Sequence, residues 1–301
     1  VTATVMPDLM DLGIINDIDA IDLDLDGDLD LVIASEWNLP MIYVNEQGQF
    51  QKKKVSDLEM YRGMYFSTTV TDLNADARPD LIFGNIGTNY KLHPSVDKPL
   101  YVYAGDMDQN GTHDLVLSKS YKGKYVPVRG KECSTEQMPF ISKKFTSYQD
   151  YAKSTISDIY NQDALKAAYM RDITTLESIV LVAREDGGYN ISSLPTEAQA
   201  FPMLDAVSVD VNGDGYEDLI AAGTIYDTEV ETPRLDAGTG LVLISNQRDG
   251  YVTSTSDAER IYASGEVKQM ALVNQNTPTP QLVISRNNAA PAMYQIRAEG
   301  S

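Results

Sequence analysis

Polar and apolar positions follow a pattern that recurs four times along this chain. A nine-residue stretch with acidic or amide side chains at alternate positions is followed at once by a short apolar run that begins with Leu. Such runs have the length and the flanking turn residues of buried strands. We name the acidic stretches loops one to four; they occupy residues 22–30, 72–80, 106–114 and 210–218.

A second pattern trails the first and predicts hairpins. A β-rich run leads through a Gly-containing turn to an aromatic residue at 41–50, 179–189 and 241–251. Repetition of acidic loop, strand, connection, strand, turn and strand is typical of a β-propeller. We therefore predict an all-β propeller with about five recognisable blades, and we assign the strand at 179–182 to the unit of loop three.

The fifth unit keeps two strands, near 281–285 and 292–296, but has no acidic loop. At loop positions 1, 3, 5 and 9 it carries Val273, Gln275, Thr277 and Gln281. Since no carboxylate remains there, we predict that this blade holds no metal.

The 104 residues between the starts of loops three and four contain a different kind of sequence. Apolar residues recur at three- and four-residue steps from Phe145 to Ile159, which predicts an amphipathic helix. We expect it to continue or restart through 163–170. The chain is thus predicted to be one propeller domain or propeller fragment, 1–301, with a helical insertion at 118–177 in the third recognisable blade.

Composition narrows the classes of partner. Hydrophobic residues make up 43% of the chain, which is enough for a buried core. The 24 Lys and Arg against 44 Asp and Glu give a net charge of −20, which disfavours nucleic acid and suits cations. Two histidines argue against a multi-His zinc site, and the single Cys133 cannot form an internal disulfide. No apolar stretch is long enough for membrane insertion.

The loops have the chemistry of calcium sites. Side-chain oxygens at positions 1, 3, 5 and 9 can converge on one centre, the carbonyl at position 7 turns inward, and Gly at position 6 allows the sharp turn. Hard oxygen ligands favour Ca²⁺ over zinc or copper. The predicted ligand residues are Asp22, Asp24, Asp26, Asp28 and Asp30; Asp72, Asn74, Asp76, Arg78 and Asp80; Asp106, Asp108, Asn110, Thr112 and Asp114; and Asp210, Asn212, Asp214, Tyr216 and Asp218.

We predict about three to four structural Ca²⁺ ions, with loops one and four as the strongest sites. Loop two is the weakest, because Ala77 replaces the Gly and Arg78 adds a positive charge. The alternative for loop two is a metal-free acidic turn. Without a cation the carboxylates of each loop repel one another, so calcium is expected to hold blade elements together.

At these loops the chain resembles the VCBS/FG-GAP repeat proteins, which include integrin α-subunit propellers and the ASPIC/UnbV group related to cartilage acidic protein. Further segments look like large secreted or surface proteins of Bacteroidetes; they are 129–132, 137–139, 144–145, 148, 151–153, 194–195, 198–199 and 236–240. The resemblance implies calcium at the loop positions, commonly seven blades, and a secreted or cell-surface location in a bacterium. The chain departs from the group at Ala77 and at Lys131 and Glu132, where Asp is more usual.

The connections that follow each first strand are expected to emerge on one face of the propeller, and long loops of this kind usually carry function. The candidate ligand-binding residues on that face are Trp37, Asn85, Asn89, Tyr90, Arg129 and Asp236. Trp37 could be an aromatic platform or could pack against a neighbouring blade. Asn85 and Asn89 could equally cap their own turns, and Asp236 could be a structural turn residue.

We interpret the chain as a non-catalytic, calcium-stabilised extracellular module that binds glycan or protein ligands. One alternative is a carbohydrate-active hydrolase or lyase on a propeller, in which paired carboxylates do the acid–base work. Another is an architectural domain that docks other domains of a longer parent chain.

Overall fold

A computed structural model describes residues 9–10, 12–256, 259–275, 277 and 279–296. The chain separates into two compact units. The first comprises residues 1–93 and 176–301, and the second comprises residues 94–175. We call the second the inserted unit, since it interrupts the first. The first is built mainly from antiparallel β-strands, and the second combines one antiparallel sheet with short helices.

The strands up to residue 93 are β1 (Ile14–Ile21), β2 (Asp30–Asn38), β3 (Met41–Glu46), β4 (Gln49–Lys52), β5 (Gly63–Met64), β6 (Ser67–Thr71) and β7 (Asp80–Gly84). The inserted unit contains β8 (Leu100–Gly105), β9 (Asp114–Tyr121), β10 (Lys124–Pro127), α1 (Lys131–Gln137), α2 (Phe140–Lys144), α3 (Tyr148–Lys153), α4 (Ile156–Ile159), α5 (Gln162–Ala167) and β11 (Tyr169–Ile173).

The later strands of the first unit are β12 (Ile179–Ala183), β13 (Tyr189–Ser193), β14 (Asp205–Val209), β15 (Asp218–Ala222), β16 (Leu241–Ser245), β17 (Tyr251–Thr253), β18 (Glu266–Val273), β19 (Gln281–Asn287) and β20 (Ala292–Gln295). Short 3₁₀ helices occupy Ser56–Met60 and Thr196–Ala200.

The described strands of the first unit form four sheets. The first sheet runs β1-β2-β3-β4 with β5 added to β2, the second runs β6-β7-β12-β13, the third β14-β15-β16-β17, and the fourth β18-β19-β20. The opening strand of each sheet lies beside that of the next, so β1 neighbours β6, β6 neighbours β14, and β14 neighbours β18. In the first three sheets an acidic loop joins the opening strand to the second strand.

The strand at 179–182 does not belong with loop three, and its predicted assignment is wrong. As part of β12 it pairs with β7, with Leu181 opposite Leu81 and Ile179 opposite Phe83. The Ala183 N–H also donates to Asp80 Oδ1 of loop two at 2.8 Å. The strands β7 and β12 have the same apolar composition as the other predicted strands, so order along the chain assigned β12 to the nearest preceding loop, loop three. The inserted unit instead separates β7 from β12, its true partner.

Apolar side chains fill the space between consecutive sheets of the first unit. Val32 and Ile42 of the first sheet meet Phe83 and Leu181 of the second. Ile82 and Val180 on the opposite face of the second sheet meet Leu219 and Leu243 of the third, and Ile220 of the third meets Leu282 and Ile284 of the fourth. Each such side chain stabilises the fold by about 1.5–3 kcal/mol relative to exposure.

A glycine permits close approach where the second sheet meets the third. A Cβ on Gly84 would lie 2.3 Å from Ser67 Oγ and 2.4 Å from the Met203 carbonyl oxygen. Ser67 Oγ itself donates to that carbonyl at 3.1 Å. A side chain at this position would therefore push the two sheets apart.

The inserted unit has its own sheet and its own core. Its strands run β10-β9-β8-β11, and loop three joins β8 to β9. The helices lie between β10 and β11 in sequence, and Ile141, Ile159 and Tyr160 pack with Val116 of the sheet. No helix in the described ranges is long and apolar enough to cross a membrane.

The predicted amphipathic helix from Phe145 to Ile159 is broken into short helices. Ser147, Thr155 and Asn161 each accept a backbone N–H with the side chain and so cap α3, α4 and α5. Capping residues at intervals of six to eight start new helices where one was expected. Phe145, Tyr151, Ile156 and Ile159 of the apolar pattern pack in the core of the inserted unit, whereas Tyr148 is exposed. The segment 163–170 ends in β11 and not in a helix.

Candidate functional site

The four acidic loops share one backbone conformation. In loop one, the carboxylate of Asp22 accepts the N–H groups of Asp26 at 3.1 Å and Gly27 at 3.0 Å. The Asp26 carboxylate then accepts the N–H of Asp28 at 2.9 Å. Asp72 and Asp106 make the same two bonds in loops two and three. In loop four, Asp210 accepts the N–H groups of Gly213 and Gly215 at positions 4 and 6. The carboxylate at position 1 thus fixes the turn on which the later predicted ligand residues lie.

Position 6 adopts the left-handed conformation in all four loops. The φ angles are 100° at Gly27, 88° at Gly111 and 88° at Gly215, as expected for glycine. Ala77 takes the same conformation with φ of 65° in loop two, at a cost of about 1–2 kcal/mol for a residue with a Cβ. Loop two therefore keeps the shape of the others in spite of its substitution.

Position 4 is left-handed as well, which the sequence gave no reason to expect. Leu25, Ala75 and Gln109 have φ of 63°, 56° and 61°, and Gly213 has φ of 79°. Three non-glycine residues in this region of φ are held there by the hydrogen bonds of the loop.

The aspartate at position 9 is buried, and in loops one, two and four it joins the loop to the third strand of its own sheet. Asp30 accepts the N–H of Leu23 with one oxygen and that of Asn45 with the other, each at 2.8 Å. Asp218 does the same with Val211 at 3.0 Å and Ser245 at 2.9 Å. Each of these carboxylates therefore fixes the geometry of its sheet in addition to offering oxygen lone pairs to a cation.

Burial makes the ionised form of these carboxylates costly. It raises the pKa of Asp80 to about 6 and that of Asp218 to about 6, against the lowering effect of the two N–H groups that each accepts. Desolvation, together with the neighbouring Asp26 and Asp30 carboxylates, also raises the pKa of Asp24. A bound cation would favour the ionised form of all three groups.

Loops one and three have the carboxylate geometry of a metal site. Asp22, Asp24 and Asp30 place ligand oxygens within 4.8 Å of one another, and Asp106, Asp108 and Asp114 do the same. In loop three, Asp108 Oδ1 is buried and has no hydrogen-bond partner within the described structure. An orphaned buried carboxylate oxygen is costly, and a cation between the three side chains would remove that cost. These residues therefore fit a divalent cation with hard oxygen ligands.

In loops two and four, donor groups of other side chains contact the carboxylate at position 5. In loop two, the Arg78 guanidinium contacts Asp76 Oδ2 at 2.6 Å, and Asn74 Nδ2 donates to the same oxygen at 3.0 Å. In loop four, two amide groups donate to Asp214 Oδ2, from Asn212 at 3.3 Å and from Gln247 at 3.2 Å. Donors at position 5 compete with a cation, so the weakness expected of loop two has a structural counterpart, and the strength expected of loop four stays a prediction.

A polar cavity of about 760 Å³ lies along the opening strands of the four sheets in the first unit. Its wall includes side chains from β1, β6, β14 and β18. The acidic and basic lining residues are Asp17, Asp19, Asp205, Glu217 and Lys268. The sequence did not predict this cavity, because the opening strands mix polar with apolar residues and were not predicted as strands.

Hydrogen bonds across the cavity wall join each opening strand to the next. Thr68 on β6 donates its N–H to Asp17 at 2.9 Å and its hydroxyl to Asp19 at 2.6 Å, both on β1. Asp205 on β14 accepts the Met270 N–H of β18. The cavity carboxylates thus connect neighbouring sheets through polar contacts that complement the apolar core.

The pKa of Asp205 is strongly shifted within the cavity. Burial raises its pKa to about 7, the N–H groups of Met270 and Ala206 act in the opposite direction, and the charges of Asp17 and Asp19 raise it further. Burial likewise raises the pKa of Asp19. The cavity therefore gains protons as the pH falls from 8 towards 5.

The candidate ligand residues predicted from sequence fall in several environments. Asn85 is fully buried and bonds Met64 N–H, Ile86 N–H and the Glu177 carbonyl, so it supports the backbone. Asn89 is exposed and donates to the Ala200 carbonyl at 3.1 Å. Trp37 lies near the end of β2, half-buried, with φ of 57°.

The structure brings one part of the predicted face together. Tyr90 is half-buried, and burial raises its pKa, with a smaller opposing effect from a hydrogen bond to Thr232. The next residue, Lys91, forms an ion pair with Glu229 at 3.0 Å. The connections after β7 and β15 therefore meet. Asp236 is exposed in the second of these connections, and Arg129 belongs to the inserted unit.

Comparison with known families supports the FG-GAP part of the predicted resemblance. Residues 22–83, which contain loops one and two, match the FG-GAP-like repeat. No curated protein matches the chain in sequence. The resemblance to ASPIC/UnbV proteins and to Bacteroidetes surface proteins stays a prediction.

Solved structures give only distant likenesses. A chain of the BBS1N–ARL6DN complex soaked with mercury is 12% identical, with 96% of this chain and 94% of that chain covered and a TM-score of 0.24. A chain of the same complex soaked with lead is also 12% identical, with 94% of this chain and 92% of that chain covered and a TM-score of 0.24. The V. cholerae biofilm matrix protein Bap1 is 10% identical, with 94% and 63% covered and a TM-score of 0.27. At these scores the likenesses carry no conclusion about fold or function.

Replacing Ala77 by Gly is expected to stabilise the protein. Relief of the left-handed strain outweighs the added flexibility of the unfolded chain, so the free energy of unfolding should rise by a few tenths to about 1 kcal/mol. Urea denaturation measures this change. As a matched control, Ala289→Gly at an exposed position without positive φ should lower the free energy of unfolding. A loss of stability in Ala77→Gly would contradict the strain argument.

Asp205→Asn is expected to flatten the dependence of stability on pH. Because the folded pKa of Asp205 is about 7 and the unfolded value is 3.8, the folded state holds more protons between these values. Its contribution to stability is therefore fully present below pH 4 and is lost as the pH rises to about 7, by on the order of 1 kcal/mol per pH unit. Urea denaturation from pH 5 to 8 should show this difference between the two proteins, and parallel curves would contradict it.

Proposed function

We propose that the chain is a calcium-stabilised, non-catalytic binding module that acts outside the cell, on a bacterial surface or in secreted form. The observation that carries the calcium part is the geometry of loops one and three, where three aspartates converge and Asp108 Oδ1 has no other partner in the described structure. The match of residues 22–83 to the FG-GAP-like repeat supports the same chemistry.

Loop positions 1, 3, 5 and 9 would supply side-chain oxygens and position 7 its carbonyl, with three to four ions held in all. Calcium, when bound, neutralises the clustered carboxylates and crosslinks the loop. Position 9 already bonds the backbone of the third strand in loops one, two and four. Ordering of a loop would therefore stabilise the sheet to which it belongs.

The binding part of the proposal rests on the surfaces that the sheets support. The first unit offers a polar cavity of about 760 Å³, within the range of ligand sites, and two long connections that meet at Lys91 and Glu229. We propose a glycan or protein ligand at the cell surface, and other domains of a longer chain as further partners. A non-catalytic role is favoured because Asp17, Asp19 and Asp205 accept hydrogen bonds from neighbouring strands.

Removal of calcium is expected to lower the melting temperature, and added Ca²⁺ should restore it. A site filled at a hundredfold excess over its Kd stabilises the folded state by about 2.7 kcal/mol. Asp24→Asn and Asp108→Asn should each remove one site in calorimetric titrations of the chelator-treated protein with Ca²⁺, whereas the exposed Asp227→Asn outside the loops should remove none. An unchanged melting curve in excess EDTA would overturn structural calcium.

Binding is expected to depend on the calcium-loaded fold. The intact chain on a glycan array and in a pull-down from bacterial surface extract should retain ligands with Ca²⁺ and lose most of them in EDTA. Release of reducing sugar ends from any glycan would instead support the enzymatic alternative. Retention of no glycan and no surface protein in either condition would count against the binding module.

A further inference from the structure

The inserted unit contains a groove that none of the proposed calcium loops forms. It has a volume of about 340 Å³ and lies where the end of β10, the start of α1 and the helix α3 meet. Its walls combine Pro127 and Ala152 with Arg129, Lys131, Tyr148 and Tyr151. The volume is at the lower end of the range for small-ligand sites, which suits one or two sugar rings.

The charge around the groove differs from that of the rest of the chain. Residues 94–175 hold eleven Lys and Arg against ten Asp and Glu, whereas the remaining residues hold thirteen against thirty-four. No described residue that lines the groove is acidic. In a protein with a net charge of −20, a groove that carries two cations and no carboxylate is a local site for an anion.

Lys131 and Tyr148 form the outer part of the groove. The Lys131 ammonium lies 5.1 Å from the centre of the Tyr148 ring, so the cation is held above an aromatic face. The Tyr148 residue is 64% exposed, which leaves much of its ring open to a ligand. An exposed aromatic face beside a cation can stack on the apolar face of a sugar while the cation pairs with a substituent of that sugar.

The floor of the groove is fixed. Tyr151 is buried, packs edge-on against Phe145 at 5.6 Å, and donates its hydroxyl to Ser134 Oγ at 2.8 Å. Arg129 Nη1 makes a long hydrogen bond of 3.5 Å to Gln137 Oε1 at one wall of the groove. A floor that does not need to reorganise lowers the cost of binding.

We propose that this groove binds an anionic saccharide whose sugar carries a carboxylate or a sulfate group. Lys131 and Arg129 pair with the anionic group, and Tyr148 stacks on the ring. The assignment rests on the proposed binding function and names the class of ligand for one surface. A saccharide is favoured over an acidic peptide because the walls offer an open aromatic face and the apolar Pro127 and Ala152 beside the cations.

The test uses the full chain with Ca²⁺ and measures affinity by calorimetry and by mobility in gels that contain polysaccharide. Hyaluronan supplies the carboxylate, dextran sulfate the sulfate, and dextran the neutral control. Lys131→Gln and Tyr148→Ala should each weaken binding of at least one anionic polymer about tenfold, and Tyr148→Phe should retain it. Lys166→Gln, at an exposed lysine of α5 outside the groove, is the matched control and should bind as the unchanged protein does.

Three outcomes would overturn the assignment. If Lys131→Gln binds the anionic polymers as well as the unchanged protein does, their site lies outside the groove. If polyglutamate competes with them as well as a free anionic saccharide does, the contact is one of charge without saccharide recognition. Retention of neutral glycans or proteins alone, unaffected by either groove variant, would overturn the anionic groove while leaving the binding module standing. Melting curves with Ca²⁺ identify any variant that has lost its fold. If Lys131→Gln has lost it, Lys131→Arg, which keeps the charge, is measured in its place and should bind as the unchanged protein does.

Discussion

The buried aspartate at the end of each acidic loop makes the hydrogen bonds on which the first three sheets of the first unit, and loop three of the inserted unit, depend. Its two oxygens hold the N–H of loop position 2 and, in three loops, an N–H of the third strand. One side chain thereby sets the loop, the second strand and the third strand in register. Removal of such a carboxylate leaves two buried N–H groups without partners, which is why an acid occupies a position that is otherwise apolar.

The sequence predicted the acidic loops because their oxygens must recur at fixed spacing, and it predicted the strands after them because those strands are apolar on both faces. It could not predict the opening strands. Ser67–Thr71 and Asp205–Val209 face a polar cavity on one side and carry no apolar run. Nor could it predict the partner of β12, since the pairing of Leu181 with Leu81 depends on an insertion whose length has no local signal. The prediction of one amphipathic helix was wrong for a third reason, because Ser147 and Thr155 cap new helices within one apolar pattern.

The two candidate ligand surfaces have opposite electrostatic character. The cavity of the first unit is lined by carboxylates whose oxygens are engaged by neighbouring strands, and burial raises the pKa of Asp205 there to about 7. The groove of the inserted unit carries Arg129 and Lys131 beside an exposed ring. The two units have different charge balances, so the net charge of −20 for the whole chain describes neither surface.

The inserted unit enters the first unit between β7 and β12, and the chain on either side of it is joined within the first unit by the hydrogen bond from Gly87 N–H to the Leu176 carbonyl at 2.9 Å. During synthesis, β7 therefore waits for a partner strand that emerges 95 residues later. The cost of closing so long a segment grows slowly with its length, and a segment that folds by itself shortens the effective distance. Evolution can accordingly exchange or enlarge what lies between these two anchor points while the pairing of β7 with β12 is kept.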